Sequence, residues 1–87
     1  MVLVNFLPPL SQIAGKKEDV MQVENDDTVQ TLLEKLSDKY GEKFRTEVFQ
    51  SGKVKENVCL LVNGIRISEL NEAFGQRLDV FLMLKGG

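Results

Sequence analysis

The two glycines that close the sequence, Gly86 and Gly87, are the residues best suited by type and spacing to chemistry. They follow Lys85 and an apolar run at positions 80–84 that is typical of a strand. Glycine is usual where a turn needs positive φ, but no turn is expected here. Two residues without Cβ atoms form a thin thread that can carry an α-carboxylate into a site too narrow for side chains. The alternative is an inert, frayed tail.

The composition excludes several classes of function. A chain of 87 residues is enough for one domain, and its net charge of −2 argues against a nucleic-acid binder, which would show a basic stripe. There is no histidine, so the usual general base and the commonest zinc ligand are missing. The sequence therefore predicts neither a self-contained hydrolase nor a zinc site, and no metal is expected.

The single cysteine and the apolar runs indicate the compartment. Cys59 cannot form an internal disulfide, which favours a reducing cytoplasm, and we interpret it as a small apolar strand residue. No apolar run approaches the ~18–20 residues of a membrane span. The N-terminus lacks the pattern of a secretory signal. The sequence thus predicts a cytoplasmic protein that is not in a membrane.

One segment has the periodicity of an amphipathic helix. Its apolar residues recur at i, i+3, i+4 and i+7: Val29, Leu32, Leu33 and Leu36. Asp27 or Thr28 is the expected N-cap, and Gly41 is expected just past the end, after Tyr40. The sequence therefore predicts a helix over 29–40.

Five segments are typical of strands: 2–7, 18–24, 57–62, 65–67 and 78–84. Asn63-Gly64 predicts a type I′ hairpin turn between two of them. Positions 10–17 predict a loop or one helical turn, and 42–56 predict an irregular segment with apolar residues to bury. With one main helix between the second and third strands, this order predicts an α+β protein of the β-grasp fold. Its mixed sheet has four to five strands, with the first and last parallel in the middle.

Alternation along the last strand separates a core side from a second side. Leu78, Val80 and Leu82 fit the core that faces the helix, whereas Phe81 and Met83 fall on the other side. Leu3, Asn5, Leu7, Cys59 and Leu61 are expected on that other side too. Such a patch beside the tail is typical of a docking surface. The alternative is that segment 42–56 folds over it.

Nearly the whole chain resembles the ubiquitin-like sulfur carriers, above all the small subunit of molybdopterin synthase and its archaeal relatives. The resemblance rests on Tyr40-Gly41-Glu42-Lys43-Phe44-Arg45, on Leu61-Val62-Asn63-Gly64 and on Gly86-Gly87. The sequence differs at Leu82-Met83, where the family often has Pro-Pro, so proline does not stiffen its tail. The resemblance implies a ubiquitin-like β-grasp domain over 1–85 and a flexible tail at 86–87.

The resemblance also implies a mechanism. An E1-like enzyme adenylates the carboxylate of Gly87 with ATP, sulfur replaces AMP, and the resulting thiocarboxylate donates sulfur, most typically in molybdopterin synthesis with the large synthase subunit. The resemblance implies that ATP is used by the activating enzyme, so that no cofactor is bound by this chain, and that the catalytic residues belong to the partners. Gly86 gives steric access. By the resemblance, Phe81 is expected to contact the partner, and Met83 and Leu61 are expected beside it on the docking side. Lys85 either contacts acidic groups of the partner or only ends the strand.

Other uses remain open at this point. An activated Gly87 could acylate a target lysine, as in a protein modifier, or carry sulfur for tRNA thiolation or thiamine synthesis. A plain interaction module with an inert tail is the third class.

Overall fold

The computed structural model describes residues 1–24, 26–67 and 76–83. Its strands are β1 (Val2–Phe6), β2 (Glu18–Met21), β3 (Phe49–Gln50), β4 (Lys53–Val54), β5 (Val58–Val62), β6 (Ile65–Arg66) and β7 (Arg77–Leu82). Its helices are α1 (Leu10–Ala14), α2 (Val29–Tyr40) and α3 (Glu42–Val48).

The main sheet has five strands in the order β2-β1-β7-β5-β6. β1 and β7 pair in parallel in its middle, and the remaining pairs are antiparallel. This is the mixed α+β sheet that the sequence predicts. β5 lies between β7 and β6, which agrees with its nearly continuous apolar run. β3 and β4 form a separate two-stranded sheet.

α2 begins where the sequence predicts because two threonines cap it. The Thr28 hydroxyl accepts a hydrogen bond from the Thr31 backbone N–H at 3.3 Å, and the Thr31 hydroxyl accepts one from the Thr28 N–H at 2.8 Å. This reciprocal pair is a capping box. Asp27 supports the cap from outside, since its carboxylate accepts a hydrogen bond from the Thr31 hydroxyl at 2.9 Å.

The core lies between the main sheet and the three helices. β1 contributes Val4 and Phe6, and β7 contributes Leu78 and Val80, all of them buried. The register places Val4 beside Leu78 and Phe6 beside Val80. The apolar stripe of α2 packs against the sheet and completes the core. It consists of Val29, Leu32, Leu33 and Leu36.

Segment 42–56 is more regular than predicted. It forms α3, then β3 and β4, and its apolar side chains turn to the core rather than to the far side of the sheet. Phe44 is fully buried there, and its ring centroid is 5.8 Å from that of Phe6. The alternative that this segment covers the docking side is therefore wrong. The sequence missed α3 because seven residues are too few to show a helical period.

All five predicted strands extend beyond those of the structure. β1 ends at Phe6, β5 begins at Val58 and β6 ends at Arg66, each one residue short of the prediction. β2 and β7 differ more, and their partners set the limits. β2 ends at Met21 because that residue pairs with Val2, the first residue of β1. β7 ends at Leu82 because Leu82 pairs with Val58, the first residue of β5. The predictions of strand at 22–24 and at Met83 are wrong, and Leu84 lies outside the described residues.

No helix in the described part of the chain is long and apolar enough to cross a membrane.

Candidate docking face and tail exit

The side of the main sheet that faces away from the helices is here called the open face. Side chains of directly paired residues lie on the same side of a sheet, and successive residues alternate. Since Val4, Leu78 and Val80 belong to the core, their neighbours along each strand lie on the open face. By register these residues are Leu3, Asn5, Glu18, Val20, Cys59, Leu61, Arg66, Arg77, Asp79 and Phe81.

The apolar part of the open face lies along β5 and β7. Phe81 pairs directly with Cys59, and Leu61 is the diagonal neighbour of Phe81 through its pairing with Asp79. Phe81 and Leu61 are half-buried, whereas Cys59 is only 4% exposed and lies outside the core cluster. These positions agree with the predicted alternation. They bring two of the predicted partner contacts, Leu61 and Phe81, to one surface.

One row of paired residues crosses the open face through every strand of the main sheet, and three of its five members are charged. The row consists of Glu18, Asn5, Asp79, Leu61 and Arg66. Asp79 is 7% exposed and pairs with Arg77, whose Nε lies 2.9 Å from its Oδ1. The buried carboxylate of Asp79 thus has a positively charged partner on its own strand. Sequence reasoning missed the pair, although opposite charges two residues apart on a strand share a face and could have indicated it.

The chain leaves the sheet beside the apolar residues Phe81 and Cys59 of the open face. The backbone N–H of Met83 donates a hydrogen bond to the Asn57 carbonyl oxygen at 2.7 Å, one position beyond the β5–β7 ladder. The Met83 side chain is 36% exposed. The predicted tail residues Lys85, Gly86 and Gly87 lie outside the described residues. The described chain therefore ends two residues beyond Phe81, at the edge of the open face.

The hairpin between β5 and β6 is fixed to the start of β7. Asn63 and Gly64 have φ of 51° and 83°, as a type I′ turn requires. The Asn63 Oδ1 accepts hydrogen bonds from the N–H groups of Gln76 and Arg77 at 3.0 and 3.1 Å. The Asn63 side chain thus fixes the backbone at the start of β7.

The described residues do not form a metal centre, since they include no group of three His, Cys, Asp or Glu side chains that could hold an ion. A cavity of about 390 Å³ lies at the β3–β4 hairpin and is lined mainly by polar residues that include Gln50, Lys53 and Asn57. Among the described residues, the open face presents both apolar and charged side chains.

Solved structures share this fold. SAMP1 from Haloferax volcanii superposes with a TM-score of 0.83 at 24% identity, covering 99% of this chain and 98% of that one. A putative molybdopterin converting factor, subunit 1, from Pyrococcus furiosus gives 0.76 at 29% identity, covering 95% and 97%. Sulfolobus solfataricus Urm1 gives 0.64 at 18% identity, covering 93% and 99%.

The sequence itself matches no protein-family model and no curated protein. The fold and the solved relatives are nevertheless those that the sequence resemblance predicts. The chain is a ubiquitin-like protein of the β-grasp fold, structurally similar to small archaeal modifier proteins and to a molybdopterin converting factor subunit.

Proposed function

We propose that this protein is a sulfur carrier that works through the C-terminal carboxylate of Gly87, most typically in molybdopterin synthesis. The observation that carries the proposal is the tail exit. β7 ends at Leu82, beside the half-buried Phe81 and Leu61 of the open face, and the sequence then continues as Met83-Leu84-Lys85-Gly86-Gly87. A partner that docks on Phe81 and Leu61 would have the last two glycines within reach. The Pyrococcus furiosus relative supports the molybdopterin assignment by its description.

The chemistry begins with activation by an E1-like enzyme. The Gly87 carboxylate attacks the α-phosphorus of ATP, so that pyrophosphate leaves and an acyl-adenylate forms. The terminal sulfur of an enzyme persulfide then attacks the acyl carbon, and AMP leaves. A second thiol cleaves the resulting acyl disulfide, is itself oxidised to a disulfide, and releases the thiocarboxylate. The carrier supplies the carboxylate and the docking surface, and the partners supply the catalytic groups.

Each predicted site residue has a role in this proposal. Gly86 and Gly87 pass through the narrow entrance of the activating site because they lack side chains. Phe81, Leu61 and Met83 provide the apolar docking contact, and Lys85 lies between that contact and the glycines. The second partner, the large subunit of molybdopterin synthase, would use the same face after the activating enzyme has left. The lone buried Cys59 fits a reducing cytoplasm.

The test is the intact mass of the protein purified from its own cells under conditions that preserve acyl-sulfur groups. The expected result is one sulfur in place of one oxygen, mapped by fragmentation to Gly87 as the terminal residue. Incubation with ATP, a sulfur source and the activating enzyme should produce the same change in the unloaded protein. If the protein stays unloaded in both experiments, the sulfur-carrier proposal is wrong.

Two variants separate the tail from the docking surface. Deletion of Gly87 should abolish loading while the protein still binds the activating enzyme. Phe81→Ala should weaken that binding and leave the terminal carboxylate chemically intact. A Gly87 deletion that loads sulfur normally would contradict the mechanism.

A protein modifier is the second candidate. A Haloferax volcanii structure of the same fold is described as small archaeal modifier protein 1, and both uses begin with adenylation of the terminal glycine. In a modifier the ε-amine of a target lysine attacks the activated acyl carbon and forms an isopeptide bond. Branched peptides that join Gly87 to lysines of other proteins would show this use, and both signals together would show a dual role.

A further inference from the structure

The outer edge of β2 directs backbone groups away from the main sheet. β2 is the last strand on its side of the sheet in the described part of the chain. The Phe6 N–H donates a hydrogen bond to the Lys17 carbonyl oxygen at 2.7 Å, and bonded and non-bonded pairs alternate along an antiparallel ladder. Glu18 and Val20 therefore direct their N–H and C=O groups outward. The Val20 N–H confirms this direction, because it donates to the Asp19 Oδ1 at 2.9 Å instead of to β1.

This edge combines an exposed apolar side chain with protecting charges. Val20 is 55% exposed, and the carboxylate of Asp19 covers its N–H group. Charged residues flank Val20 on both sides along the chain. Charge is one device by which edge strands avoid indiscriminate pairing. An edge protected in this way pairs only with a strand whose charges match its own.

The charges of the β2 edge match a second copy of the same edge in one register. Lys16 and Glu24 are exposed and lie four residues before and four residues after Val20. When two copies run antiparallel about a two-fold axis at Val20, each Lys16 faces the Glu24 of the other copy, and Glu18 faces Gln22. The next registers differ by two residues, because only alternate residues point outward. They place Glu18 opposite Glu24 or opposite Val20, and both ion pairs are lost.

We propose that two copies of this chain pair edge to edge through β2 and join their main sheets into one. The Val20 N–H of each copy donates to the Val20 carbonyl oxygen of the other copy and gives up the Asp19 Oδ1. The second carboxylate oxygen of Asp19 keeps its hydrogen bonds from Lys39 and Tyr40. An ion pair between the flanking lysine and glutamate closes each end of the contact.

This pairing goes beyond the proposed function and leaves the docking surface uncovered. A two-fold axis perpendicular to the joined sheet keeps both open faces on the same side. β1 separates β2 from β7, so Phe81 lies about 10 Å from the paired edge. The paired protein therefore presents two docking surfaces and two tail exits on one side.

A second copy fits the β2 edge because a two-fold contact uses each charge twice. In such a contact residue i meets residue j while j meets i, so one lysine–glutamate pairing occurs at both ends. Any partner strand needs an acidic and a basic residue in the reversed order, and this chain supplies that order itself. The contact involves one short strand from each copy, so a weak dimer is expected, with a dissociation constant between about 10 μM and 1 mM.

Disulfide cross-linking tests the register. Val20→Cys places two thiols at the two-fold axis, where the Cα atoms of a hydrogen-bonded pair are about 5.5 Å apart, within the range of a disulfide. Mild oxidation at millimolar protein concentration should give a covalent dimer. Gln22→Cys is the matched control, because its thiols would be offset by about 13 Å along the strands and should not cross-link. The parent chain, whose Cys59 is buried, should not cross-link either.

Charge reversal tests the ion pairs, with sedimentation velocity over a range of protein concentrations as the measurement. Lys16→Glu and Glu24→Lys should each raise the dissociation constant of the dimer roughly tenfold, since each places like charges at both ends. The variant with both changes should return it to within about threefold of the parent value. The two single changes shift the net charge in opposite directions, so a loss in both does not come from net charge.

Two controls separate pairing from general effects. Lys43→Glu reverses an exposed charge on α3 and should leave the dissociation constant within about twofold. The Lys16 Nζ lies 3.9 Å from the Asp19 Oδ1, and Lys16→Glu removes that contact within the chain. The double variant lacks the same contact, so its recovery of dimerisation assigns the effect of Lys16→Glu to pairing and not to stability.

Several results would overturn the pairing. They are a parent chain that stays monomeric at millimolar concentration, a double variant that dimerises no better than the single variants, and a Gln22→Cys chain that cross-links as readily as Val20→Cys. If the parent is monomeric and Lys16→Glu weakens its binding to the activating enzyme, a partner protein and not a second copy occupies the edge. Sulfur loading does not depend on β2 pairing, so a dimer that is never loaded would overturn the carrier function alone.

Discussion

The hydroxyl of Tyr40, at the end of α2, donates a hydrogen bond to Asp19 of β2. The Lys39 Nζ lies 2.6 Å from the same carboxylate oxygen, so two neighbouring residues of α2 hold one residue of an edge strand. Asp19 pairs with Val4 and therefore lies on the helix side of the sheet. Burial by itself would raise the pKa of Asp19, but the hydrogen bonds from Lys39 and Tyr40 outweigh it and hold the pKa of that carboxyl below its usual value. This contact fixes the edge strand against the helix.

Tyr40→Phe removes the hydroxyl and keeps the ring, whose centroid is 5.7 Å from that of Phe6. We expect the free energy of unfolding to fall by about 1 kcal/mol, the usual net contribution of one hydrogen bond. Urea unfolding measures the change. Lys39→Gln is the comparison, and its effect should be smaller because an exposed ion pair contributes little. A larger loss with Lys39→Gln would show that the ion pair, not the hydroxyl, joins β2 to α2.

The same contact predicts a loss of stability at high pH. Burial, followed by the hydrogen bond to Asp19, raises the pKa of Tyr40 above its usual value. A group with a raised pKa in the folded state contributes stability below its unfolded pKa and loses that contribution as the pH rises, here from about 10 upward. Thermal unfolding midpoints between neutral and strongly alkaline pH should decline less steeply for Tyr40→Phe. Parallel curves for the two proteins would contradict this.

The contacts made by the Asp27 carboxylate predict that the protein loses stability at low pH. The backbone N–H of Glu24 donates to its carboxylate at 2.8 Å and Lys35 Nζ lies at 2.6 Å, and these contacts lower the pKa of Asp27 to about 2. Since a depressed pKa stabilises the fold above the unfolded value, the contribution should be lost as the pH falls from about 4 towards 2. Asp27→Asn should flatten this part of the pH profile of urea unfolding. Glu34→Gln, on the exposed side of α2, should leave the profile unchanged.

Gly41 joins α2 to α3 in a backbone conformation that other residues avoid. Its φ and ψ are 98° and −171°, a region essentially restricted to glycine, so Gly41→Asn should lower the free energy of unfolding by about 1–3 kcal/mol. Gly15, with φ and ψ of 78° and 13°, is left-handed, a region that asparagine tolerates. Gly15→Asn should therefore change stability less. In the described part of the chain, no atom beyond the adjoining residues lies within 4 Å of the position that a Cβ would take at either glycine, so strain and not collision causes the difference.

Asn63 should be replaceable by aspartate but not by glycine. Asn63→Gly keeps the positive φ of the turn but removes the acceptor of the Gln76 and Arg77 N–H groups, with an expected loss of about 1 kcal/mol. Asn63→Asp keeps an oxygen at that position and should lose less. Hydrogen exchange at the amide of Arg77 measures the effect directly, and should accelerate in the glycine variant alone. Equal exchange in all three proteins would mean that the turn does not hold β7.

The sequence by itself determined the elements with a clear local period. The stripe from Val29 to Leu36 predicted α2, and the alternation of Leu78, Val80 and Phe81 predicted which residues face the core and which face outward. Asn63-Gly64 predicted the hairpin because positive φ at consecutive residues is a local requirement. These features depend on neighbours within a few positions, so no tertiary structure is needed to identify them. The roles of Gly86 and Gly87 stay predictions, since they lie outside the described residues.

Only the tertiary structure decided where strands end and which charges meet. β2 stops at Met21 and β7 at Leu82 because their partners begin there, and no local pattern contains a partner's first residue. Asp19 meets Tyr40 across 21 positions of sequence, and Arg77 and Asp79 lie beside the apolar strand β5 only because of the strand order β1-β7-β5. Such contacts depend on the register between distant segments. That register is set by burying one face of each strand in a common core.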